Sequence, residues 1–473
     1  MTRDKRCHTI LRLLTVLFFA AVCVWGITEA GYGLLQVLGW RMSRHSLYAL
    51  TGHFNNPGPY GGFIACVMAV ATAWVMRSRV KPSGLRMTTT WIMYILAWVT
   101  IGMGTLVLPA SMSRAGWLAQ LVALAVEAIR MPQVREWIRK HRWMIPAGGA
   151  GVIALLVGAF LIKPESALGR LHIWRMECRA IAERPWTGAG PGMGAWAYGE
   201  AQEAFFRARL ETASPTVVRV AGCPEYAFNE FLGIGVEYGV PGLLLSVLLV
   251  AASIAVLYKA RSPFAAGLTA WSVFACASYP LSVPQLRLLG AGFVLIALVV
   301  GILQVRSWRM GVLPVIVAGL LAGWMGFRVK PGMTKEWLGT ARKENFRAVY
   351  AQGYALHQAG RYAESTEILE WGTRMSCDPM FEIILGKNAE ALGDDTRAEA
   401  LYEKAHYMVP SRLYPLVRLM RLQVRTGRNR EALETARRIV MMPVNERHEG
   451  MVKLREETEV TLDSLEIALR KQP

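Results

Sequence analysis

Apolar positions fall into long, nearly unbroken runs up to about residue 327 and into short helical stripes beyond it. Runs of about 17 to 20 nearly uncharged residues recur in the first part, each long enough as a helix to cross a hydrocarbon core ~30 Å thick. They predict about nine spanning helices, at roughly 10–28, 60–76, 90–109, 115–129, 143–162, 239–257, 264–280, 288–304 and 310–327. The first run is long for a signal peptide and reads as an anchor. No comparable run follows Lys330, so the pattern divides the chain into a membrane domain, 1–330, and a tail, 331–473.

The tail carries a second rhythm. Gly360-Arg, Gly393-Asp and Gly427-Arg recur 33 and 34 residues apart, and Pro379, Pro410 and Pro443 recur at 31 and 33. Ala363, Ala398 and Ala432 follow the turns, while Tyr354, Tyr402 and the Leu/Ile stripes read as core. A period near 34 built of helix–turn–helix units resembles tetratricopeptide repeats, about three of them, whose stacks present a concave surface to a protein partner. The expected fold is therefore all-α: a polytopic transmembrane helix bundle followed by an α-solenoid.

Composition supports the membrane assignment, with 53% hydrophobic and only 18% charged residues, too apolar for a soluble chain of this size. A net charge of +19 would suit a nucleic-acid partner, but its placement argues against one. The cations cluster in short loops: Arg3, Lys5 and Arg6; Arg77, Arg79, Lys81 and Arg86; Arg130, Arg135, Arg139, Lys140 and Arg142; Lys259 and Arg261; Arg306 and Arg309. All five clusters share one side if the N-terminus is cytoplasmic, as inside-positive loops require. Nine spans then put the tail in the periplasm, together with segments 51–60, 111–114, 163–238 and 281–287.

Candidate chemistry lies in those outer segments. Residues 167–185 predict an amphipathic helix, with Leu171, Trp174, Cys178 and Ile181 on an apolar stripe and His172, Arg175 and Arg179 beside it. Such a helix either lies at the membrane interface or simply snorkels its cations. Gly188-Ala-Gly-Pro-Gly-Met-Gly194 spaces glycines as phosphate-cradling backbone does; the other reading is a flexible turn. Arg114, Arg219 and Arg287 stand at membrane boundaries or late in the long loop, where guanidinium groups suit a diphosphate. The seven cysteines form no CxxC pair, which argues against a zinc or thioredoxin-like site. Cys178 and Cys223 share one loop and either pair or stay buried. The predicted spans show neither buried charge nor internal symmetry, which disfavours a transporter.

Several segments carry a family likeness: Gly52-His-Phe-Asn-Asn-Pro57, Ser113-Arg-Ala-Gly-Trp117, Arg170-Leu-His-Ile-Trp174, Pro185-Trp-Thr-Gly-Ala-Gly190, Tyr226-Ala-Phe-Asn-Glu-Phe-Leu232 and Val236-Glu-Tyr-Gly-Val-Pro-Gly242. In this order, from about residue 50 to 300, the chain resembles the O-antigen ligase and polymerase family of bacterial envelope glycosyltransferases. The resemblance implies a GT-C-like helix bundle in the inner membrane and a metal-independent transferase without cofactors. Its donor would be an undecaprenyl-diphosphate-linked glycan and its acceptor a hydroxyl on a glycan, lipid or protein. It assigns the diphosphate to Arg114, Arg170, Arg175 and Arg219. One departure stands out: Phe228 occupies the position where the family has a histidine expected to act as base. Glu225 and Glu230, which flank it, and then His172 are the substitutes. The alternative is a non-catalytic membrane scaffold in which the spans anchor the repeats.

Overall fold

The computed structural model describes residues 3–77, 86–162, 164–304, 308–328, 346–443 and 449–470, and among these every regular element is helical. The predicted boundary at Lys330 and the loop cations Arg79, Lys81 and Arg306 lie outside the described residues. In chain order the helices are α1 (Arg3–Val37), α2 (Pro57–Arg77), α3 (Arg86–Ala110), α4 (Arg114–Arg130), α5 (Pro132–Lys140), α6 (Met144–Ile162), α7 (Pro164–Glu183), α8 (Gly194–Arg209), α9 (Pro215–Val220), α10 (Glu230–Lys259), α11 (Phe264–Ala275), α12 (Pro284–Gln304) and α13 (Trp308–Arg328). The tail adds α14 (Phe346–Gln358), α15 (Tyr362–Thr373), α16 (Met380–Ala391), α17 (Asp395–Met408), α18 (Tyr414–Arg425), α19 (Asn429–Met441) and α20 (Glu449–Arg470). Contacts divide the chain into two compact units. One comprises Met1–Ile162, Phe228–Ile234 and Pro241–Gly326; the other comprises Lys163–Ala227, Gly235–Val240 and Phe327–Pro473.

The first unit is a membrane helix bundle. Among the described residues five helices are long and apolar enough to cross a membrane: Leu13–Val37, Pro57–Arg77, Thr90–Ala110, Glu230–Lys259 and Pro284–Leu303. The other predicted spans fall on α4, α6, α11 and α13. Helix α2 is the central one, with 78% of its apolar window buried against 33% for α1; a helix apolar all round belongs inside a bundle. It packs against both α4 and α11, which also touch each other, with Gly62 against Phe274 and Gly267 against Val70.

Element ends depart from the sequence pattern in three places. α1 runs to Val37 instead of ending at 28, because the polar residues beyond that point, Glu29 and Gln36, are buried partners of a loop and not a solvated exit. α11 stops at Ala275 and gives way to a 3₁₀ turn at Pro280–Ser282, where proline cannot donate to a continuing helix. α10 begins at Glu230 and kinks at Gly239, whose φ of 73° and ψ of −177° are non-helical.

The expectation that the spans bury no charge is also corrected. Glu29 and Glu127 are each 4% exposed. Arg77 on α2 meets the Glu127 carboxylate of α4 through two nitrogens, Nε to Oε2 at 3.0 Å, and donates as well to the Ser262 carbonyl in the turn before α11. One guanidinium thus joins three elements at one end of the bundle.

In the second unit the tail forms antiparallel helical hairpins, α14–α15, α16–α17 and α18–α19, closed by α20. Gly360, Gly393 and Gly427 sit in their turns with φ of 74°, 81° and 77°, the left-handed conformation that ends a helix cheaply only at glycine. Ser365, Ala398 and Ala432, the fifth residue after each turn, are fully buried. Ser365, and not the exposed Ala363, is therefore the first member of that small-residue set. Tyr402 is buried as expected, whereas Tyr354 is 39% exposed.

Loop residues 164–227 belong to this same unit. Helix α8 lies against α17: Lys404 bridges Glu200 at 2.9 Å and Glu382 at 3.0 Å, Arg207 meets Glu403 at 3.5 Å, and the Gln202 side-chain amide donates to the Met408 carbonyl.

In the bundle, Glu127→Ala leaves the half-buried Arg77 with the Ser262 carbonyl but without its counter-charge, a loss of about 2 kcal/mol or more. Thermal unfolding in detergent should show a lower midpoint for this variant, and the apolar pair Arg77→Met with Glu127→Leu should recover most of the difference.

Candidate functional site

One end of the bundle gathers four separated stretches. The Ser113 hydroxyl donates to the Gly58 carbonyl at 2.9 Å and accepts from the Gly116 N–H, so a single side chain caps α4 and fastens it to the start of α2. Arg114, the first residue of α4, is half-buried beside this cap. Across the same end, the Glu230 carboxylate accepts from the Leu281 N–H at 2.6 Å, and Asn229 caps α10 by accepting from Phe231 and Leu232. Phe228 stands edge-on to Tyr279 at 5.4 Å with a φ of 52°, a left-handed geometry costing ~1 kcal/mol for a residue with a side chain.

The stretch that contains Gly58 is also held from α1, through residues 51–53. Gln36, 3% exposed, accepts from the Thr51 and Gly52 N–H groups at 2.9 and 2.7 Å. Glu29, two turns earlier on α1, accepts from the His53 N–H at 3.2 Å, and its two oxygens lie 3.1 and 3.2 Å from His53 Nδ1. The His53 ring stacks on Tyr32 at 4.0 Å, and the Tyr60 hydroxyl donates to the Glu29 carbonyl at 3.3 Å. Gly52 has a φ of 58°, and a Cβ there would lie 2.5 Å from the Tyr60 ring and 2.9 Å from the Glu29 carboxylate. Only glycine lets the loop come that close to both.

In the second unit, the glycine-rich segment closes on residues 236–240. The Ala189 N–H donates to the Val236 carbonyl at 2.7 Å, that of Gly190 to the Glu237 carbonyl at 3.0 Å, and that of Val240 to the Pro185 carbonyl at 2.7 Å. The N–H groups of Gly192 and Gly194 donate to the Glu237 carboxylate. The phosphate-cradle reading of this segment is corrected accordingly. A carboxylate of the chain itself already fills the anion position that such N–H groups create. A Cβ on Gly188 would sit 2.4 Å from the Glu237 backbone, so the contact also demands glycine.

Helix α7 buries His172, Met176, Glu177 and Ala180, not the stripe that includes Leu171 and Cys178, both of which are exposed. Packing against α8 selects this face. His172 is 5% exposed, its Nε2 lies 2.8 Å from Gln202 Oε1, and burial holds its pKa below the ordinary imidazole value. Glu177 is 4% exposed, and its Oε2 has no hydrogen-bond partner among the described residues. Burial, reinforced by the Glu237 charge, pushes its carboxyl up to about 8.

The residues singled out in the sequence therefore divide between the units. Arg114 and Glu230 belong to the bundle end; Arg170, Arg175, Arg219, His172 and Glu225 belong to the second unit. Arg175 lies over the Phe205 ring at 5.0 Å, and Arg219 meets Glu165 at 3.6 Å on the first turn of α7, the helix that also carries Arg170. The Glu225 carboxylate is ion-paired with Arg347 at a cavity of about 280 Å³ lined also by Tyr350, Asp378 and Phe381. Cys178 and Cys223 are free thiols, not a disulfide. No cluster of three His, Cys, Asp or Glu among the described residues could hold a metal ion. Glu29, Glu177 and Glu237 were not singled out. Glu237 sits in a motif already noted, and Glu177 stands beside Met176 and three residues before Ala180 on the buried face.

Comparison with known families places a match to O-antigen ligase at residues 98–247. That range includes Arg114, the loop from α7 to α9 and the glycine clasp, while Glu29 and His53 lie outside it. No curated protein matches the chain.

A carboxyl that holds its proton up to about pH 8 when folded, but ionises near 4.5 when unfolded, favours the folded state below 4.5. That contribution is progressively lost as pH rises through the window to about 8. Glu177→Gln should therefore unfold at nearly the wild-type temperature at pH 4 and several degrees above it at pH 8, read by thermal melts in detergent.

Proposed function

We propose that this multi-pass membrane protein, which carries an O-antigen ligase domain over residues 98–247, passes a glycan from an undecaprenyl-diphosphate carrier to a hydroxyl acceptor at the periplasmic face of the bacterial inner membrane. The match to O-antigen ligase over residues 98–247 supports glycan transfer in envelope biosynthesis. The carrier, the acceptor and the side of the membrane are our reading. The observation that carries it is the start of α4, where Ser113 caps the helix and is fastened to the Gly58 carbonyl, so that the half-buried cation Arg114 is set at a fixed helix start.

An arginine at such a position can meet two phosphate oxygens at once, and its charge strengthens in effect as water is excluded. The leaving diphosphate gains negative charge as the glycosidic bond breaks, so a fixed guanidinium acts most strongly on the transition state. We assign this role to Arg114 and, on the loop helices, to Arg170, Arg175 and Arg219. The inside-positive loops and an odd number of spans support a cytoplasmic N-terminus and a periplasmic tail. The hairpins of the tail, read as tetratricopeptide-like repeats, would receive a protein partner or acceptor.

Arg114→Ala and Arg175→Ala should each reduce transfer by about ten-fold or more at unchanged protein level, since each removes a charge-assisted contact. Envelope glycan profiles of the deletion strain complemented with each variant check this. Full-length, fully anchored glycan in both would defeat the transferase reading. A periplasm-only reporter fused after Pro473 should be active, and a silent one would reverse the topology.

A further inference from the structure

Joining a glycan to a hydroxyl requires removal of one proton, and the bundle end contains an imidazole aligned to take it. His53 Nδ1 faces both oxygens of Glu29, so the carboxylate fixes the tautomer with the proton on Nδ1 and leaves the Nε2 lone pair open. The His53 side chain is 38% exposed and that of Glu29 only 6%. The dyad thus has a dry inner end and an accessible outer one. Tyr32 holds the ring plane, and Arg44 Nη1 donates to the His53 carbonyl at 2.7 Å.

Neighbouring groups are less suited. His45 accepts the Leu47 N–H on its Nδ1 at 3.0 Å, with no carboxylate behind it among the described residues. Glu230 commits an oxygen to the Leu281 N–H. Phe228, in the turn before α10, has no lone pair to offer. The loop carrying His53 leads directly into the Gly58 carbonyl fastened by Ser113, next to Arg114. A buried carboxylate within a spanning helix is also costly unless it serves a purpose, and among the described residues the side chain that meets it is this histidine.

We propose that His53 is the general base of the transfer, oriented by Glu29, with the acceptor hydroxyl bound at Nε2; this rests on the transferase reading above. The hydroxyl proton passes to Nε2 as the acceptor oxygen bonds to the anomeric carbon. The bond from that carbon to the diphosphate oxygen breaks, and the electron pair leaves with the diphosphate. Glu29 stabilises the imidazolium until it releases the proton to water.

The test uses membranes of the producing cell carrying the full-length chain and their own lipid-linked glycan, followed as label leaving the solvent-extractable fraction. Wild-type membranes should transfer, deletion membranes should not, and Arg114→Ala membranes should transfer about ten-fold less or lower still. If wild-type and deletion membranes behave alike, the transferase reading itself fails. With that established, His53→Ala should lose about 100-fold or more, the range of general-base catalysis, and added imidazole should recover about ten-fold of it. His53→Asn keeps a donor to Glu29 but has no base, so it should be as inactive as His53→Ala. Wild-type transfer by either variant, or no recovery of His53→Ala with imidazole, overturns the proposal.

Discussion

A backbone N–H held where water is scarce must find an acceptor, and this constraint governs both units. At the bundle end, three consecutive N–H groups, those of Thr51, Gly52 and His53, are satisfied by two side chains of α1. Gln36 and Glu29 are two helical turns apart and so lie on one face of that helix. Removing either acceptor would leave donors without a partner inside the protein, at about 1–3 kcal/mol for each unsatisfied group. The loop is therefore rigid without regular structure of its own, and whatever His53 does is done from a fixed position.

The same rule explains the glycine-rich segment in the second unit. Its N–H groups point inward, as in an anion cradle, and the group they meet is the Glu237 carboxyl, which burial pushes up to about 7 against the pull of the Gly192 and Gly194 N–H bonds. A carboxylate supplied by the chain leaves no place for a phosphate there, but it locks residues 185–194 to 236–240 and so fixes where α8 begins. Glu177 then faces a neighbour of like charge without full hydrogen bonding, which favours its protonated form. Burial of an incompletely satisfied carboxyl in an otherwise well-paired unit costs stability near neutral pH, and the coupling to Glu237 ties that cost to the state of the clasp.

The bundle was legible because span-length apolar runs are a strong signal, and the tail because Gly360, Gly393 and Gly427 recur where left-handed turns are required. The ends of elements were not legible. Hydropathy closes α1 at 28 because Glu29 is charged, whereas the helix continues once that charge has a partner 24 residues away. The face of α7 was misread for a related reason. Periodicity finds apolar stripes, but packing against α8 buries a mixed face with His172 and Glu177. Long-range partners, such as Lys404 between Glu200 and Glu382, leave no local trace at all, so the union of loop and tail into one unit could not be read from spacing.

What the sequence did offer at the site was cations at boundaries and, at Phe228, one departure from the family that the chain resembles. Phenylalanine in a strained turn beside Tyr279 is poor as chemistry but sound as packing, since an edge-on aromatic pair holds the start of α10 without a titratable group. Losing a base from that turn would matter only if no other element of the same bundle end could supply one. The Glu29–His53 pair lies outside the stretch that matches O-antigen ligase, on elements whose polar residues hydropathy treats as interruptions. A proton acceptor there and a diphosphate-binding arginine at the start of α4 would separate the two requirements of glycosyl transfer, deprotonation and leaving-group stabilisation, onto α1 and α4. The Ser113–Gly58 hydrogen bond ties the start of α4 to the start of α2, and with it the segment that follows His53.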